Sequence, residues 1–409
     1  MTETTDFLII GGGVLGLTLA LEVRKRHPGM RVVVLEKERQ PGTHASGRNS
    51  GVLHAGFYYT ADSLKARFCR EGNRELTEYC LSRKLSIRRC GKLVVARSHA
   101  DLPGLAELLR RGRVNGVALE ELTAREALEI EPRARTVEKA LFAPTTASVD
   151  PVEVMAALVQ DARQAGVEIL TQRRFLGGKR IQRGESDGAV EIETSGGAMA
   201  AGYLINAAGL HADRVAHGFG FAREYAILPF KGLYLYSDEP PESLKTHIYP
   251  VPNLDNPFLG VHFTVGVGGG IKIGPTAIPA FWREHYQGFE GFRLKEMGEI
   301  LSREAGLFWG NHFNFRRLAF QELGKYRKSR LARLAGELVG DVDPAHYRRW
   351  GRPGIRAQLL HLPSRRLEMD FIYQGDAHSF HLLNAVSPAF TCALPLGRFL
   401  MDRIESLMA

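Results

Sequence analysis

The chain has 409 residues, of which 44% are apolar and 24% charged, a globular composition that excludes a disordered, collagen-like or coiled-coil protein. Its 54 Lys and Arg against 45 Asp and Glu give a formal net charge of +9, which admits nucleic acid, an anionic membrane surface or an acidic substrate as partner. The four cysteines show no C-x-x-C spacing, so we expect a reducing, cytoplasmic compartment and no metal site.

The first predicted element is a strand, turn and helix near the N-terminus. Residues 7–21 are nearly all apolar, but acidic residues precede them and the run is too short to cross a bilayer, so we expect neither a signal peptide nor an anchor. The turn at 11–16 fits G-x-G-x-x-G, and a second apolar strand at 31–35 ends at Glu36. Such glycines let the backbone approach a pyrophosphate, and the acid can accept hydrogen bonds from a ribose. The motif predicts a dinucleotide site, without separating NAD from FAD. Its candidate contacts are Gly11, Gly13, Val14, Leu15, Gly16, Glu36 and Lys37.

The first half of a second segment, residues 44–59, consists of small and polar residues. Such a segment can wrap around a diphosphate or the edge of a flavin ring. Its second half sets His54 among small residues, which indicates that a bulky group lies against the backbone there. A histidine satisfied within the core is the alternative. The candidate cofactor contacts here are His44, Ser46, Gly47, Asn49, Ser50, Gly51 and Val52.

The residues from His44 to Tyr59, just after the dinucleotide motif, resemble the L-2-hydroxyglutarate oxidase/dehydrogenase family, FAD enzymes of the wider D-amino-acid-oxidase-like group. The strings Cys-Gly-Lys-Leu at 90–93, Pro-Phe-Lys-Gly at 229–232 and Gly-Ile-Arg-Ala-Gln at 354–358 extend the resemblance over nearly the whole chain. It implies an α/β fold, α+β overall, with a Rossmann-like FAD-binding domain and an inserted antiparallel-sheet substrate domain. It also implies an FAD-dependent oxidoreductase that takes a hydride from an L-2-hydroxy acid, most specifically L-2-hydroxyglutarate, to give the 2-oxo acid.

Departures from the family pattern leave the substrate open. Lys231 and Leu233 stand where the family usually has an arginine and an acid, and Arg48 stands where histidine or another residue is common. Val386 and Phe390 replace smaller or cyclic residues of the last turn. The alternatives are a different 2-hydroxy acid, or an amine or amino-acid oxidase of the same fold, similar to glycine oxidase. No motif encodes the electron acceptor, so oxygen and a membrane quinone are both expected candidates.

The resemblance implies three main catalytic candidates. Arg356 can hold a carboxylate through two parallel hydrogen bonds, although a structural arginine is the alternative. His54, with an ordinary imidazole pKa near 6.5, is the expected general base, while packing against the flavin or a covalent link to it are alternatives. Lys231 is expected to bind a distal carboxylate or the pyrimidine end of the flavin. Weaker pocket candidates are Tyr59, Tyr249 and His262.

The predicted organisation is two domains built from alternating pieces of the chain. Residues 1–90, 141–225 and 346–409 are expected to form a discontinuous FAD-binding domain, and 91–140 and 226–345 the substrate-binding domain. In the flavoprotein group, further FAD contacts correspond to Phe175, Ala207, Ala208, Gly209, Arg356, Ser387, Pro388, Ala389 and Thr391.

Two helical regions are predicted in the second half of the chain. The apolar pattern predicts helix over residues 281–345, and a closing helix is expected from about Ala393. The apolar residues expected on one side of the first region are Phe320, Leu323, Leu331, Leu334 and Leu338.

The positive charge is concentrated in residues 316–366, which hold 13 Lys or Arg and four Asp or Glu. Within this window, residues 325–334 are predicted to form a basic amphipathic helix. A solvated helix is one interpretation, and a peripheral contact with the inner, anionic face of the cell membrane, close to a quinone pool, is the other. No zinc spacing, aromatic platform or basic tail supports nucleic-acid binding.

Overall fold

The computed structural model describes residues 3–180, 189–254 and 258–409. The strands are β1 (Glu3–Ile10), β2 (Val32–Leu35), β3 (Val52–Leu53), β4 (Ile87–Arg88), β5 (Lys92–Val95), β6 (Glu120–Thr123), β7 (Lys139–Ala143), β8 (Ala147–Val149), β9 (Glu168–Leu170), β10 (Phe175–Arg180), β11 (Val190–Thr194), β12 (Gly197–Asn206), β13 (Tyr225–Gly232), β14 (Leu235–Ser237), β15 (His247–Pro250), β16 (His262–Val265), β17 (Ile271–Gly274), β18 (Ile278–Pro279), β19 (Tyr347–Trp350), β20 (Gly354–His361), β21 (Arg366–Leu367), β22 (Ile372–Gly375) and β23 (Ser379–Asn384). The α-helices are α1 (Val14–Arg26), α2 (Leu64–Ser82), α3 (Leu102–Val114), α4 (Ala124–Ile130), α5 (Pro151–Gln164), α6 (Ala212–Gly218), α7 (Leu294–Gly310), α8 (Phe315–Gly324), α9 (Lys328–Gly336) and α10 (Ala389–Met408).

The chain divides into two compact units. The first unit comprises Met1–Arg48, Pro151–Pro229 and Arg356–Ala409, and the second comprises Asn49–Asp150 and Phe230–Ile355. The chain therefore leaves the first unit twice and returns to it twice.

The boundaries of the two units differ from the expected domain boundaries. Residues 49–90, 141–150 and 346–355, expected in the FAD-binding domain, group with the second unit, and residues 226–229 group with the first. The physical reason is strand pairing, because β3, β8 and β4 form a three-stranded sheet among themselves and β19 pairs with β14 of the second unit.

The first unit is built on a largely parallel sheet. Its central strands run in the order β23-β12-β1-β2-β9, with every one of these neighbouring pairs parallel, and β10 and β11 extend the β12 side as antiparallel strands. The residues of β2 are all buried, a continuous apolar pattern typical of a parallel strand covered on both faces. α1 connects β1 to β2 and packs against α5 and α10. This arrangement brings the turn after β1 to the carboxyl edge of a parallel sheet.

The second unit is built on an eight-stranded, mainly antiparallel sheet. Its order is β19-β14-β17-β16-β15-β5-β7-β6, and β15 and β5 are parallel to each other. Phe263, Ile273, Leu331 and Tyr347 belong to one core that joins this sheet to α9. The mixed α/β fold and the inserted antiparallel sheet predicted from the sequence are confirmed.

The helical prediction for residues 281–345 is partly wrong. Helices cover 294–310, 315–324 and 328–336, so the region is interrupted twice. Leu331 is buried in the core, but Phe320 is exposed. Because α8 ends at Gly324 and α9 is a separate helix, the apolar periodicity does not describe one continuous face. Leu338 is also buried, whereas Leu323 is exposed.

The closing helix begins earlier than expected, since α10 starts at Ala389, four residues before Ala393. The basic segment 325–334 also differs from its prediction. Lys325 is buried in an ion pair with Glu322, and α9 starts only at Lys328. The apolar side of α9, including Leu331, lies in the core and is not available to a lipid surface.

Within the described residues, no helix is both long enough and apolar enough to cross a bilayer.

Candidate active site

The turn after β1 has room for backbone only. Gly11 has a φ of +107°, and a Cβ there would lie 2.5 Å from the carbonyl oxygen of Ala207. A Cβ at Gly16 would lie 1.9 Å from the oxygen of Gly11. Side chains are thus excluded on both sides of the turn, which keeps its backbone open to a ligand.

The N-terminus of α1 follows this turn directly. Gly13 is the N-cap residue and offers no side-chain cap, and the first turn of the helix carries no acidic side chain. The backbone N–H of Val14 donates to Ser46 Oγ at 2.9 Å. A helix start of this kind favours an anion such as a diphosphate, and Ser46 is brought next to it.

The acid predicted to contact a ribose lies at the end of β2. The Glu36 carboxylate accepts hydrogen bonds from the N–H of Gly12 at 3.0 Å and of Glu38 at 2.9 Å. Burial raises the pKa of Glu36. The N–H of Arg173 donates to the oxygen of Glu36, so the chain leading to Phe175 runs beside the same strand end. Glu36 is therefore held in a fixed position at the carboxyl edge of the sheet.

Lys37 and His44 share a partner that the sequence reasoning missed. His44 Nε2 lies 2.8 Å from Lys37 Nζ and 3.0 Å from Glu38 Oε1, and Lys37 also pairs with Glu38. Burial acts to raise the pKa of Glu38, but the hydrogen bonds and charges of Lys37 and His44 outweigh it and lower that pKa. The two predicted residues are thus parts of one charged cluster.

The turn after β12 lies against the first glycine turn. The N–H of Ala207 donates to Ile10 O at 2.9 Å. Asn206, fully buried and not among the predicted residues, donates from Nδ2 to Ala212 O at 2.8 Å and accepts from the N–H of Ala208 at 3.1 Å. Gly209 follows with a φ of +54°. An asparagine at the end of a buried strand is the signal that could have identified it.

The last predicted turn also belongs to the first unit. Ser387 precedes the N-cap residue Pro388, and α10 begins at Ala389. Thr391 is buried in the first turn of this helix. The chain here thus presents the start of a 20-residue helix.

Arg356 is half-buried on β20, and a neighbour orients it. Its Nε donates to Gln358 Oε1 at 2.9 Å. Gln358 is fully buried and donates from Nε2 to the backbone oxygen of Glu368 at 2.6 Å. The guanidinium is therefore positioned through a fixed amide, and Gln358 is a supporting residue that the sequence reasoning quoted without a role.

In the second unit, the segment from Asn49 to Val52 is held by its own polar groups. The N–H of Gly51 donates to Asn49 Oδ1 at 2.8 Å, and the N–H of Val52 donates to Ser50 Oγ at 3.3 Å. Lys272 Nζ donates to the oxygen of Ser50 at 2.9 Å. Gly51 has a φ of +75°, which explains the glycine in the motif.

His54 is buried immediately after β3. Cys69 Sγ donates to the oxygen of His54 at 3.2 Å, and Asn73 Nδ2 donates to Leu53 O at 3.0 Å, so α2 fixes the backbone. Burial, together with the charge of Lys92, lowers the pKa of His54 to about 3. The ordinary pKa near 6.5 assumed from the sequence is thus wrong for this state, and the imidazole is neutral at pH 7.

Lys92 is a residue that sequence reasoning missed. Its side chain is fully buried, and Nζ lies 4.7, 4.6 and 4.9 Å from the ring centroids of Phe57, Tyr58 and Tyr249. Among the described residues its nitrogen has no hydrogen-bond partner, and burial lowers its pKa to about 7. Its only sequence signal was the Cys-Gly-Lys-Leu string, because the three rings come from distant parts of the chain.

Two further histidines belong to the same interior. The ring of His262 stacks on Tyr249 with centroids 3.8 Å apart, and its Nδ1 donates to Gly260 O at 3.0 Å. His247 accepts the Val265 N–H at Nδ1, so its Nε2 carries the proton. Burial lowers the pKa of His247 to about 3 and that of His262 well below its ordinary value, and the charge of Lys92 lowers both further.

Lys231 and Tyr59 have different neighbours. Lys231 is buried on β13, where burial lowers its pKa to about 8, and it acts electrostatically on His285. Tyr59 is half-buried, with Lys65 Nζ 5.9 Å from its ring centroid. The described contacts thus join His54, His262 and Tyr249 with Lys92, and associate Lys231 and Tyr59 with other partners.

Three kinds of comparison place these features among known proteins. A family model described as "DAO: FAD dependent oxidoreductase" matches residues 6–403. Proteins named L-2-hydroxyglutarate dehydrogenase are similar along nearly the whole chain. The one from Indibacter alkaliphilus is 36% identical, covering 95% of this chain and 96% of its own. That from Escherichia coli is 34% identical, with 99% and 94% covered. The human mitochondrial protein is 34% identical, with 99% and 89% covered.

Solved structures are similar in fold. L-α-glycerophosphate oxidase from Mycoplasma pneumoniae, solved with FAD bound, has a TM-score of 0.78 at 22% identity, covering 99% of this chain and 95% of its own. Glycine oxidase from Geobacillus kaustophilus has a TM-score of 0.72 at 21% identity, with the same coverage.

Proposed function

This chain belongs to the DAO family of FAD-dependent oxidoreductases, and on this premise we propose that it oxidises L-2-hydroxyglutarate, or a close L-2-hydroxy acid, to the 2-oxo acid. The observation that carries the proposal is His54, a buried, neutral imidazole within the motif that resembles this family. Relatives that are 33–36% identical over nearly their whole length, and named L-2-hydroxyglutarate dehydrogenase, support the choice of substrate.

The first unit has features that fit the cofactor. A side chain at Gly11 or Gly16 would fill the turn, and the uncapped start of α1 suits a diphosphate, while Glu36 can accept hydrogen bonds from a ribose. We propose that these residues and the other cofactor-binding candidates named from the sequence hold FAD. FAD, when bound, accepts the two electrons that leave the substrate carbon.

The catalytic roles follow from the chemistry of the side chains. Arg356, oriented by Gln358, would hold the carboxylate next to the hydroxyl group through paired hydrogen bonds. His54 would receive the hydroxyl proton, since the unprotonated imidazole is the form that can accept one. Lys231 would bind the distal carboxylate, and its buried ammonium is a strong partner for an anion once that anion arrives.

Electron transfer out of the protein completes the proposal. We propose oxygen or a membrane quinone as acceptor, with a peripheral contact to an anionic membrane in the second case. The small-molecule partner is an acid, which accords with cationic side chains at the proposed site.

The test is anaerobic titration of the purified yellow protein with candidate substrates. L-2-hydroxyglutarate should bleach the oxidised flavin absorbance, and D-2-hydroxyglutarate, the mirror-image control, should not. If L-2-hydroxyglutarate and other L-2-hydroxy acids leave the spectrum unchanged, the proposal is wrong. Bleaching by glycine or an L-amino acid instead would identify an amine or amino-acid oxidase.

A further inference from the structure

Large apolar side chains are exposed together at the end of α7 and along α8. Trp309, Phe320, Leu323 and Tyr326 are 75%, 66%, 53% and 61% exposed. We call these four residues the aromatic face. Scattered single apolar residues are normal on protein surfaces, but several large ones on one short segment mark an interaction site.

Direct contacts join the first part of the aromatic face into one surface. The ring centroid of Phe308 lies 5.9 Å from that of Trp309 and 6.0 Å from that of Phe320, so the two helices share an aromatic cluster. The guanidinium of Arg316 lies 5.7 Å from the ring of Phe308 and donates to Trp309 O at 2.7 Å. Arg316, Phe320 and Leu323 are spaced for one side of α8, which places an arginine beside the exposed rings.

Around the aromatic face the cations are mostly exposed, whereas the acid is buried. Residues 311–331 contain six Lys or Arg and one acid. That acid, Glu322, is buried, pairs with Lys325 and accepts the N–H of Ala277 at 2.8 Å. Arg316, Arg317, Arg327 and Lys328 are exposed.

Two of the three acids of α7 reinforce this separation, and the third, Glu299, is half-buried and pairs with Arg303 of the same helix. Glu296 is buried and accepts the N–H of Arg283 at 3.1 Å. Glu304 is also buried, and burial raises its pKa to about 8, so it carries little negative charge at pH 7. The outer surface therefore presents rings and cations, while Glu296 and Glu304 face inward.

We propose that the aromatic face docks on the surface of an anionic lipid bilayer, with the rings at the headgroup level and the arginines against the lipid charges. Exposed tryptophan and tyrosine flanked by cations are typical of proteins that lie in a membrane interface without crossing it. The charge separation favours an anionic bilayer over a second copy of this positively charged chain. This surface gives the proposed membrane contact a location on α8, whereas the sequence had indicated α9. The docking depends on the proposed function only in that a membrane quinone would then be within reach as electron acceptor.

The first experiment is flotation of the purified holoprotein with vesicles of phosphatidylcholine that contain or lack phosphatidylglycerol. We expect binding to the anionic vesicles, and Trp309→Ser/Phe320→Ser should weaken it about tenfold or more because two interfacial rings are lost. Leu176→Ser, which removes an apolar side chain that is 56% exposed on β10 of the first unit, is the control and should bind like the wild type. Flavin absorbance reports that each variant is folded.

The second experiment uses the three tryptophans of the chain, of which Trp282 is buried, Trp350 half-buried and Trp309 exposed. Anionic vesicles should shift the emission to shorter wavelength, and Trp309→Phe should keep the binding but lose most of the shift.

Several outcomes would overturn the proposal. These are protein that stays with the aqueous fraction, equal binding by the double serine variant, or a dimer in solution that the double variant dissociates. Since no substrate is present, the result is independent of flavin bleaching, and either proposal can fail alone.

Discussion

At the scale of single residues, His54 is the side chain whose removal should affect turnover most directly. In His54→Ala we expect kcat to fall about 100- to 10,000-fold, the usual contribution of a positioned general base. FAD should remain bound, because Cys69 and Asn73 hydrogen-bond to the backbone of this segment and are retained in the variant. Steady-state kinetics and flavin absorbance measure the two properties. A fully active variant would remove the assignment of His54 as base.

Lys92 should leave a signature in the pH dependence of stability. Its folded pKa of about 7 lies below its ordinary value of 10.5, so between these values the unfolded chain binds more protons than the folded one. The free energy of unfolding contributed by Lys92 therefore rises with pH in this window, by up to about 1.4 kcal/mol per unit. Lys92→Met should lack this slope, and its melting temperature relative to wild type should be highest near pH 7 and decline toward pH 10. A constant difference would contradict the buried, unpartnered amine.

Lys231 should control the preference for a second carboxylate. Because burial lowers its pKa to about 8, the cationic form is lost above that pH. We expect kcat/KM for L-2-hydroxyglutarate to decline by up to about tenfold per unit above pH 8, since this ratio reports the free enzyme. Lys231→Arg should remove the decline, and Lys231→Met should lower kcat/KM for the dicarboxylate but hardly for an L-2-hydroxy monocarboxylate. Equal losses on both substrates would argue that Lys231 serves the flavin instead.

At the scale of elements, two glycines of the strand–turn–helix unit from β1 to β2 differ in the space available for a side chain. Gly16→Ala would place a Cβ 1.9 Å from the oxygen of Gly11, whereas a Cβ at Gly29, in the loop before β2, meets nothing within 4 Å. Overpacking of this kind costs about 1–3 kcal/mol, so Gly16→Ala should weaken FAD binding about tenfold or more. Gly29→Ala should retain FAD. The flavin-to-protein absorbance ratio after dialysis measures both, and equal retention would show that the turn tolerates a side chain.

The same elements explain what the sequence could and could not predict. The turn at 11–16 and Glu36 were predictable because their spacing is local and the backbone at each position requires that residue type. The exposure of Phe320 was not, because helical periodicity shows which residues share a side but not whether a sheet covers that side. Lys92 was hidden for a related reason. It lies on an inner strand, β5, and its aromatic cage is assembled from residues 57, 58 and 249, which no local pattern connects.

At the scale of the whole molecule, the net charge of +9 is less informative than its arrangement. Lys325, inside the basic segment, is neutralised by Glu322, whereas Arg316 and Arg317 on the preceding helix are exposed. A sequence window counts these cations equally. Only burial separates the structural ones from those that can meet an anionic partner, which moves the expected membrane contact from α9 to the aromatic face.

This arrangement predicts how the electron acceptor is reached. With quinone dissolved in anionic vesicles, Trp309→Ser/Phe320→Ser should turn over about tenfold more slowly than wild type at limiting lipid, because less protein is docked. With a water-soluble dye as acceptor, the two proteins should have equal rates, since the two side chains are solvent-exposed and have no part in the proposed catalytic machinery. Leu176→Ser should match wild type with both acceptors. A loss of turnover with both acceptors would mean that the two substitutions impair catalysis itself and not membrane docking. Equal rates on vesicles would mean that quinone, if used, is reached by another route, and that docking through this face does not serve electron transfer.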